Sequence, residues 1–452
     1  MTTPDSDSLL QPGRLQRPGK GHIGLIVAAS LATGLVVAVV LVVAPFVEAK
    51  ENVLTGMVLL AFALGWALLA VLSIRFSDQP QRWATAPAVF FALAGLISLL
   101  GSDTVRHLFG WVWPPVLLGL VVWMIIRARK QLHSRTRWWL LYPVFAVLAL
   151  ASVGGGYETV AESVDATAYP APGQLIDVGG HRLHLNCTGS GSPTVVLEPG
   201  LGEASSVMSW IAPAVAEDTR VCVYDRAGRG WSEPAEGPQD AAQTAADLHT
   251  LLDRAHIPGP YVLAGHSFGG LYILTFAASY SDQVAGMVLL DSTAPASGPT
   301  PPTKTGSYDM VGRISALLPA VAHLGVIRLY GQSAYGTLPP RSRDEARARS
   351  ATASDLASFL NEFLEGSAAT HQAASLVDLA DKPLIVLTAG REHDAAWLAA
   401  QDKLATLSTN SRHRIVADAT HASLVLDASD AAAASQAIRD VVASVRTSTP
   451  LN

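Results

Sequence analysis

Tyr261-Val262-Leu263-Ala264-Gly265-His266-Ser267-Phe268-Gly269-Gly270 is the stretch that decides the fold of this chain. An apolar strand runs into G-x-S-x-G, and LYILTFAASY (271–280) follows with helical character. A serine hydroxyl is a poor nucleophile until a base takes its proton. A sharp strand-to-helix turn holds such a hydroxyl clear of the backbone, and flanking glycines relieve the crowding there. The helix that starts after it points N–H groups toward developing negative charge. The bare pattern is weak, because Gly-rich chains produce it by chance; the strand before it and the helix after it make it specific. Ser267 is the candidate nucleophile.

Working outward, short apolar strands alternate with helical stretches through the second half. Residues 175–178 and 182–186 flank Gly179-Gly180, a hairpin signal. Residues 194–198, 220–224, 261–264, 286–290, 383–388 and 413–417 read as further strands. VVLE, YVLA, MVLL and LIVLT are continuous apolar runs, the mark of strands buried on both faces. Residues 241–255 have helical spacing, with Leu248, Leu251 and Leu252 on one face. The order predicts an α/β domain over 173–446, with a mostly parallel eight-stranded sheet covered on both sides by helices. Residues 293–380 break the rhythm with helix-like pieces and no clear strand, and read as an inserted cap.

The first third is different. Half of the 452 residues are hydrophobic and only 15% are charged, against about 25% in a typical soluble domain. The deficit lies in five apolar stretches, roughly 23–47, 53–74, 84–101, 111–126 and 138–154, none with an ionisable acidic or basic residue inside. Each approaches or exceeds the ~17–25 residues of a membrane-crossing helix. A cleaved signal peptide has one short apolar core, and here the first stretch is too long and four more follow. Pro114 and Pro115 suit a helix start. Trp83, Trp111, Trp113, Trp123, Trp138, Trp139 and Tyr142 lie near segment ends, where amphipathic rings favour the headgroup layer. Basic residues alternate: Arg14, Arg17 and Lys20 in the tail (1–22), Arg75 and Arg82 in one loop, Arg127, Arg129, Lys130, Arg135 and Arg137 in another. The opposite loops hold only Lys50 and Arg106. This predicts a multi-pass protein of the cell membrane, with a cytoplasmic N-terminal tail, a transmembrane domain over 23–155 and everything after it outside the cytoplasm. Residues 156–172, small, acidic and proline-containing, read as a linker.

GHSFGG (265–270), the PGLG turn (199–202), YDRAGRGWS (224–232), LLDS (289–292) and the histidine of ATHAS (419–423) together resemble the α/β-hydrolase superfamily, particularly its esterase-like bacterial members. The resemblance covers about residues 173–446. It implies acyl transfer to water through an acyl-serine on Ser267, with His421, after the last strand, as base. It also implies that the backbone N–H groups of Leu201 and Phe268 receive the oxyanion. The expected substrate is a small apolar ester, with thioester, lactone or amide bonds open, and the lipid bilayer is the other partner. Asp225 and Arg226 read as structural. Pro199-Gly200 stands where His-Gly is usual, and Thr420 where a glycine usually precedes the histidine; neither change removes a backbone donor or the imidazole.

The acid that orients the imidazole is less legible. The family places it after the strand 383–388, or in some members after the preceding strand. The usual Gly-x-x-Asp spacing lands on His393, one residue short of Asp394. Asp394 ranks first, Asp291 second and Glu392 third. The resemblance also makes the strands of Cys187 and Cys222 sheet neighbours, and an exterior domain permits disulfides; a Cys187–Cys222 bridge is expected.

Other chemistries find little support. Two cysteines exclude a disulfide-dense scaffold and a cysteine-built zinc site. No HExxH pair, phosphate-binding loop or dinucleotide fingerprint in the right context occurs, so no metal and no cofactor is expected. The net charge of −6, without a basic run interleaved with aromatics in the second half, argues against nucleic acid. The alternatives are a catalytically silent receptor or scaffold of the same fold, and a regulatory exterior domain of a transporter; ionisable residues inside the helices would have favoured the latter.

Overall fold

The apolar runs of the first third become five long helices: α1 (Ile23–Val43), α2 (Glu51–Phe76), α3 (Thr85–Leu100), α4 (Asp103–Gln131) and α5 (Tyr142–Ala168). The computed structural model describes residues 23–132, 137–296, 310–331 and 333–451. The tail (1–22), Arg135 and residues 297–309 of the expected cap lie outside the described residues. All five, the third counted from Arg82 with the short turn before it, are long and apolar enough to cross a bilayer. Two details depart from the expected reading. The fourth helix starts at Asp103, where the Ser102 side chain accepts from the Val105 N–H, so Pro114 and Pro115 lie inside it and not at its start. Trp83 is buried against Trp66 and Phe145 instead of facing headgroups. Its indole N–H finds Gln81 Oε1 at 2.7 Å, so the ring can leave the interface without an unsatisfied donor.

The chain divides into two compact units, residues 1–153 and 154–452. The boundary falls inside α5, and the expected linker is mostly helix. Residues 157–168 hold no glycine or proline, and alanine and glutamate, good helix formers, sustain the helix. Glu158 and Asp165, seven residues apart and so on one face, both pair with Arg328.

The second unit is built on one eight-stranded sheet: β1 (Gln174–Asp177), β2 (Arg182–Thr188), β3 (Val195–Glu198), β4 (Val221–Tyr224), β5 (Tyr261–His266), β6 (Val284–Leu290), β7 (Leu384–Ala389) and β8 (Ser411–Val416). The strand order is β1-β2-β4-β3-β5-β6-β7-β8. The β1–β2 and β2–β4 pairs are antiparallel and all others parallel. The continuous apolar runs serve two cores at once, because successive side chains point to opposite faces. Leu263, Met287, Leu289 and Val386 pack in one layer, under α7 (Ala241–Arg254) and α8 (Gly269–Ser279). Val262, Ala264, Val288 and Ile385 pack in the other, with α6 (Ile211–Ala216) and α17 (Ala428–Thr447). The cap holds α9 (Met310–Ser315), α10 (Leu318–Ala322), α11 (Val326–Gly331), α12 (Pro340–Ser350), α13 (Ala353–Leu364) and α14 (Gly366–Ala373), with no strand among its described residues. The short helices α15 (Ala395–Ala405) and α16 (Ser423–Leu426) follow β7 and β8. Cys187 on β2 faces Cys222 on β4 in register, and a disulfide joins them with Cα atoms 4.0 Å apart.

Candidate active site

The turn between β5 and α8 holds Ser267 at φ 55°, a left-handed conformation that non-glycine residues rarely adopt. It is held there from both sides. The Ser267 N–H donates to the Leu290 carbonyl at 3.0 Å, and the Ser267 carbonyl accepts from Thr293 and Gly270. The glycines follow from close approach: a Cβ on Gly265 would lie 2.8 Å from the Gly269 backbone, and one on Gly269 would lie 2.5 Å from the Glu198 and Pro199 carbonyls. The strand therefore turns directly into a helix packed on the 199–202 turn.

His421 stands in the loop after β8. Its Nε2 is 2.8 Å from Ser267 Oγ and its Nδ1 is 2.6 Å from Asp291 Oδ2. Asp291 is the first residue after β6, buried, at φ 45°. Four groups converge on its carboxylate: Oδ2 also meets His393 Nε2 at 2.6 Å, and Oδ1 accepts from the Trp397 indole at 3.0 Å and the Ala389 N–H at 3.3 Å. Burial raises its pKa, yet the hydrogen bonds from His421, Trp397 and His393 outweigh this and hold it below the usual carboxylate range.

This overturns the ranking of acids. Asp394 is exposed and caps α15 by accepting from the Trp397 N–H at 2.8 Å. Glu392 is exposed at φ 70°. The loop after β7 is one residue out of phase, so the side chain it delivers to the site is His393, stacked on Trp397 with centroids 4.7 Å apart. His393 and Trp397 were not foreseen as site residues. The signal that could have found the first was the Gly-x-x-Asp spacing, which lands on His393.

The 199–202 turn is fixed from below by buried charge. Arg226 donates to the Pro199 carbonyl at 2.9 Å and the Gly200 carbonyl at 2.7 Å, and pairs with Glu198 at 2.6 Å and Glu362 of α13 at 2.8 Å. Tyr224 donates to Glu198. Burial pushes the Glu198 carboxyl up to about 7 despite Arg226. Asp225 accepts from the backbone N–H groups of Ser205 and Trp231 and pairs with His184, so both residues of the Asp-Arg pair hold loops. His266 links the turn to the His421 loop: its Nδ1 is 3.3 Å from Glu203 Oε2 and its Nε2 is 3.0 Å from the His421 carbonyl. Gly200 lies so close to the serine that a Cβ on it would be 3.2 Å from the Ser267 Cβ. Among the described residues, the Leu201 and Phe268 amides donate to no protein acceptor.

Asp291, His393 and His421 place three metal-ligand-type atoms within 4.8 Å of one another. Zinc accepts such donors. The same nitrogens, however, already engage one carboxylate oxygen at 2.6 Å, so an ion would have to displace both hydrogen bonds.

A mostly parallel sheet, a strained serine at a strand-to-helix turn and a histidine bridging that serine to a buried aspartate define an α/β protein with the geometry of a nucleophilic active site. The alpha/beta hydrolase fold family matches residues 193–428, more than half of the chain, and the chain belongs to that family. An uncharacterised protein of Schizosaccharomyces pombe is 25% identical over 427 residues, 78% of each chain. An uncharacterised vacuolar membrane protein of Saccharomyces cerevisiae is 30% identical over 131 residues, 25% of this chain and 20% of that protein. Among solved structures, a thermophilic esterase from Thermogutta terrifontis is 22% identical, with a TM-score of 0.45, covering 60% of this chain and 99% of the esterase.

Proposed function

We propose that this chain is a membrane-anchored serine hydrolase that cleaves carboxylic esters through an acyl-serine. The observation that carries the reading is the continuous relay from Ser267 Oγ through His421, at 2.8 and 2.6 Å, to Asp291. Ser267 Oγ attacks the carbonyl carbon while its proton passes to His421 Nε2. Asp291 holds the tautomer with the proton on Nδ1 and stabilises the imidazolium. The Leu201 and Phe268 N–H groups receive the oxyanion; each such donor is worth roughly 3 kcal/mol in acyl transfer. His421 then protonates the leaving alcohol, and water, deprotonated by the same nitrogen, releases the acid and restores the serine. Thioesters, lactones and amides fit the same steps.

The basic residues of the loops support a cytoplasmic N-terminus and an extracytoplasmic hydrolase unit in the cell membrane. The Cys187–Cys222 bridge supports an oxidising compartment. A fluorophosphonate probe on native membranes tests the activity. Labelling of Ser267, lost in Ser267→Ala, is expected, and an ester panel of graded acyl length then ranks substrates. A chain that stays unlabelled while folded is a silent receptor or scaffold, and the proposal fails.

A further inference from the structure

The turn that faces Ser267 is pinned peptide by peptide. Its peptide bonds are trans, so each N–H points away from the carbonyl of the residue before it. The Gly200 carbonyl accepts from Arg226 Nη2 at 2.7 Å, which directs the Leu201 N–H of the same peptide plane away from Arg226. The next plane is held by its other end, because the Gly202 N–H donates to Glu362 Oε2 at 2.9 Å. The Gly200 and Glu203 N–H groups are engaged within the turn, by Glu203 Oε2 at 2.8 Å and the Gly200 carbonyl at 3.2 Å. Among the described residues, the Leu201 N–H is the one amide of this run that meets no protein acceptor.

Glu362 reaches the turn from the cap. It lies on α13, only 3% exposed, and grips Arg226 as a fork: Oε1 accepts from Nε at 2.8 Å and Oε2 from Nη2 at 3.2 Å. One carboxylate therefore holds the 201–202 peptide directly and the 200–201 peptide through Arg226. Burial raises its pKa, but Arg226 and Arg229 outweigh this and keep it below the usual range, so the group is charged. The same helix is seated on the neighbouring loops. Ser358 donates to the Ala227 carbonyl at 2.8 Å, and the Phe359 ring covers Gly202, where a Cβ would lie 2.7 Å from it.

We propose that Glu362 is a positioning residue for acyl transfer: together with Arg226 it fixes both peptide planes that flank Leu201 and so aims the Leu201 N–H at the oxyanion. Helix α13 of the cap is then part of the catalytic machinery, and the donor is set before substrate arrives, as transition-state stabilisation by fixed dipoles requires. The inference rests on the hydrolase reading above.

Full-length protein in detergent micelles tests it, with p-nitrophenyl butyrate as substrate. Fluorophosphonate labelling run to completion counts the competent serines, so kcat is expressed per site and an unfolded fraction drops out. In Glu362→Gln the amide oxygen can serve either the Gly202 N–H or Arg226 Nε, and the NH₂ opposes the other donor. One plane is released in either case. The kcat per site should fall about thirtyfold with KM within about twofold, because the oxyanion donors act in the transition state and outright loss of one costs ~10²–10³. Asn361→Ala is the control for a loosened cap: this neighbour on α13 accepts from the Gln239 N–H at 3.0 Å and has no bond to the turn, so the variant should keep the parent kcat. A Glu362→Gln kcat within about threefold of the parent, a change confined to KM, or an equal fall in Asn361→Ala overturns the proposal. If Glu362→Gln yields no competent serine, Glu362→Asp decides. It keeps the charge beside Arg226 but is one methylene short of the Gly202 N–H, and the same fall in kcat is expected; a parent-like kcat overturns the proposal. Parent protein that neither labels nor hydrolyses the ester refutes the hydrolase reading and this inference with it, whereas an active parent with unaffected Glu362 variants refutes this inference alone.

Discussion

Replacing Asp291 by asparagine should nearly silence Ser267 while leaving the site in place. The carboxylate now accepts from four donors: His421, His393, Trp397 and the Ala389 N–H. An amide offers one acceptor and one donor in the same shape. If its oxygen faces His421, its NH₂ meets the Trp397 and Ala389 donors head-on and leaves both buried without an acceptor, at about 1–3 kcal/mol each. If its NH₂ faces His421 instead, Nδ1 must accept, the proton moves to Nε2, and the imidazole donates to Ser267 rather than taking its proton. The second arrangement satisfies more groups, so the wrong tautomer prevails. Loss of the correct tautomer in a serine triad costs about 10⁴ in rate, or about 5.4 kcal/mol at 1.36 kcal/mol per decade. Asp394→Asn should leave the rate within about twofold, because asparagine caps a helix as well as aspartate. The assay is the second-order rate of fluorophosphonate labelling in detergent, which needs no known substrate. Asp291→Asn within about tenfold of the parent, or Asp394→Asn slowed comparably to it, would falsify the assignment of Asp291 as the acid.

Three further outcomes are expected. His393→Ala should slow labelling by about tenfold and no more, since Asp291 keeps the Trp397 and Ala389 donors while losing one clamp; a loss as deep as that of Asp291→Asn would make His393 part of the relay itself. Glu198, pushed up to about 7 by burial, binds its proton more tightly in the folded state than its ordinary value of 4.5 allows. Stability should therefore fall as pH rises from 4.5 to 7, by on the order of 3 kcal/mol at ~1.4 kcal/mol per pH unit. Glu198→Gln should flatten that slope in thermal unfolding; an unchanged slope refutes it. Cys187 and Cys222 are 35 residues apart in sequence, so Cys187→Ser with Cys222→Ser should cost roughly 3–4 kcal/mol by loop closure. Alkylation without reductant, read by mass spectrometry, should modify neither cysteine in the parent; two modified cysteines reject the bridge.

The elements that a local pattern encodes were legible in the chain itself. Strand-turn-helix around Ser267 depends on residues adjacent in sequence, and continuous apolar strands report burial on both faces wherever they occur. The five long helices follow from hydropathy for the same reason. Pattern failed where a contact came from far along the chain. One miss was local instead: Pro114 and Pro115 suit a helix start, but Ser102, twelve residues before Pro114, caps α4 through the Val105 N–H. Residues 156–172 read as a linker because small, acidic and proline residues replace the apolar run, yet Glu158 and Asp165 find Arg328, more than 160 residues away. Trp83 looked interfacial until Gln81 and the rings of Trp66 and Phe145 enclosed it.

The site divides along the same line. The sequence by itself picked out Ser267, His421, the order in which they occur and the turn that faces them, because each sits at the end of a strand whose identity is local. Only the tertiary structure decided which carboxylate lies against His421. The loop after β7 offers three polar residues in a row, Glu392, His393 and Asp394, and one residue of phase selects which of them points inward. Sequence spacing does not measure that phase. The packing of Trp397 against His393 and the cap that Asp394 provides to α15 set it, leaving the buried end of β6 to supply Asp291.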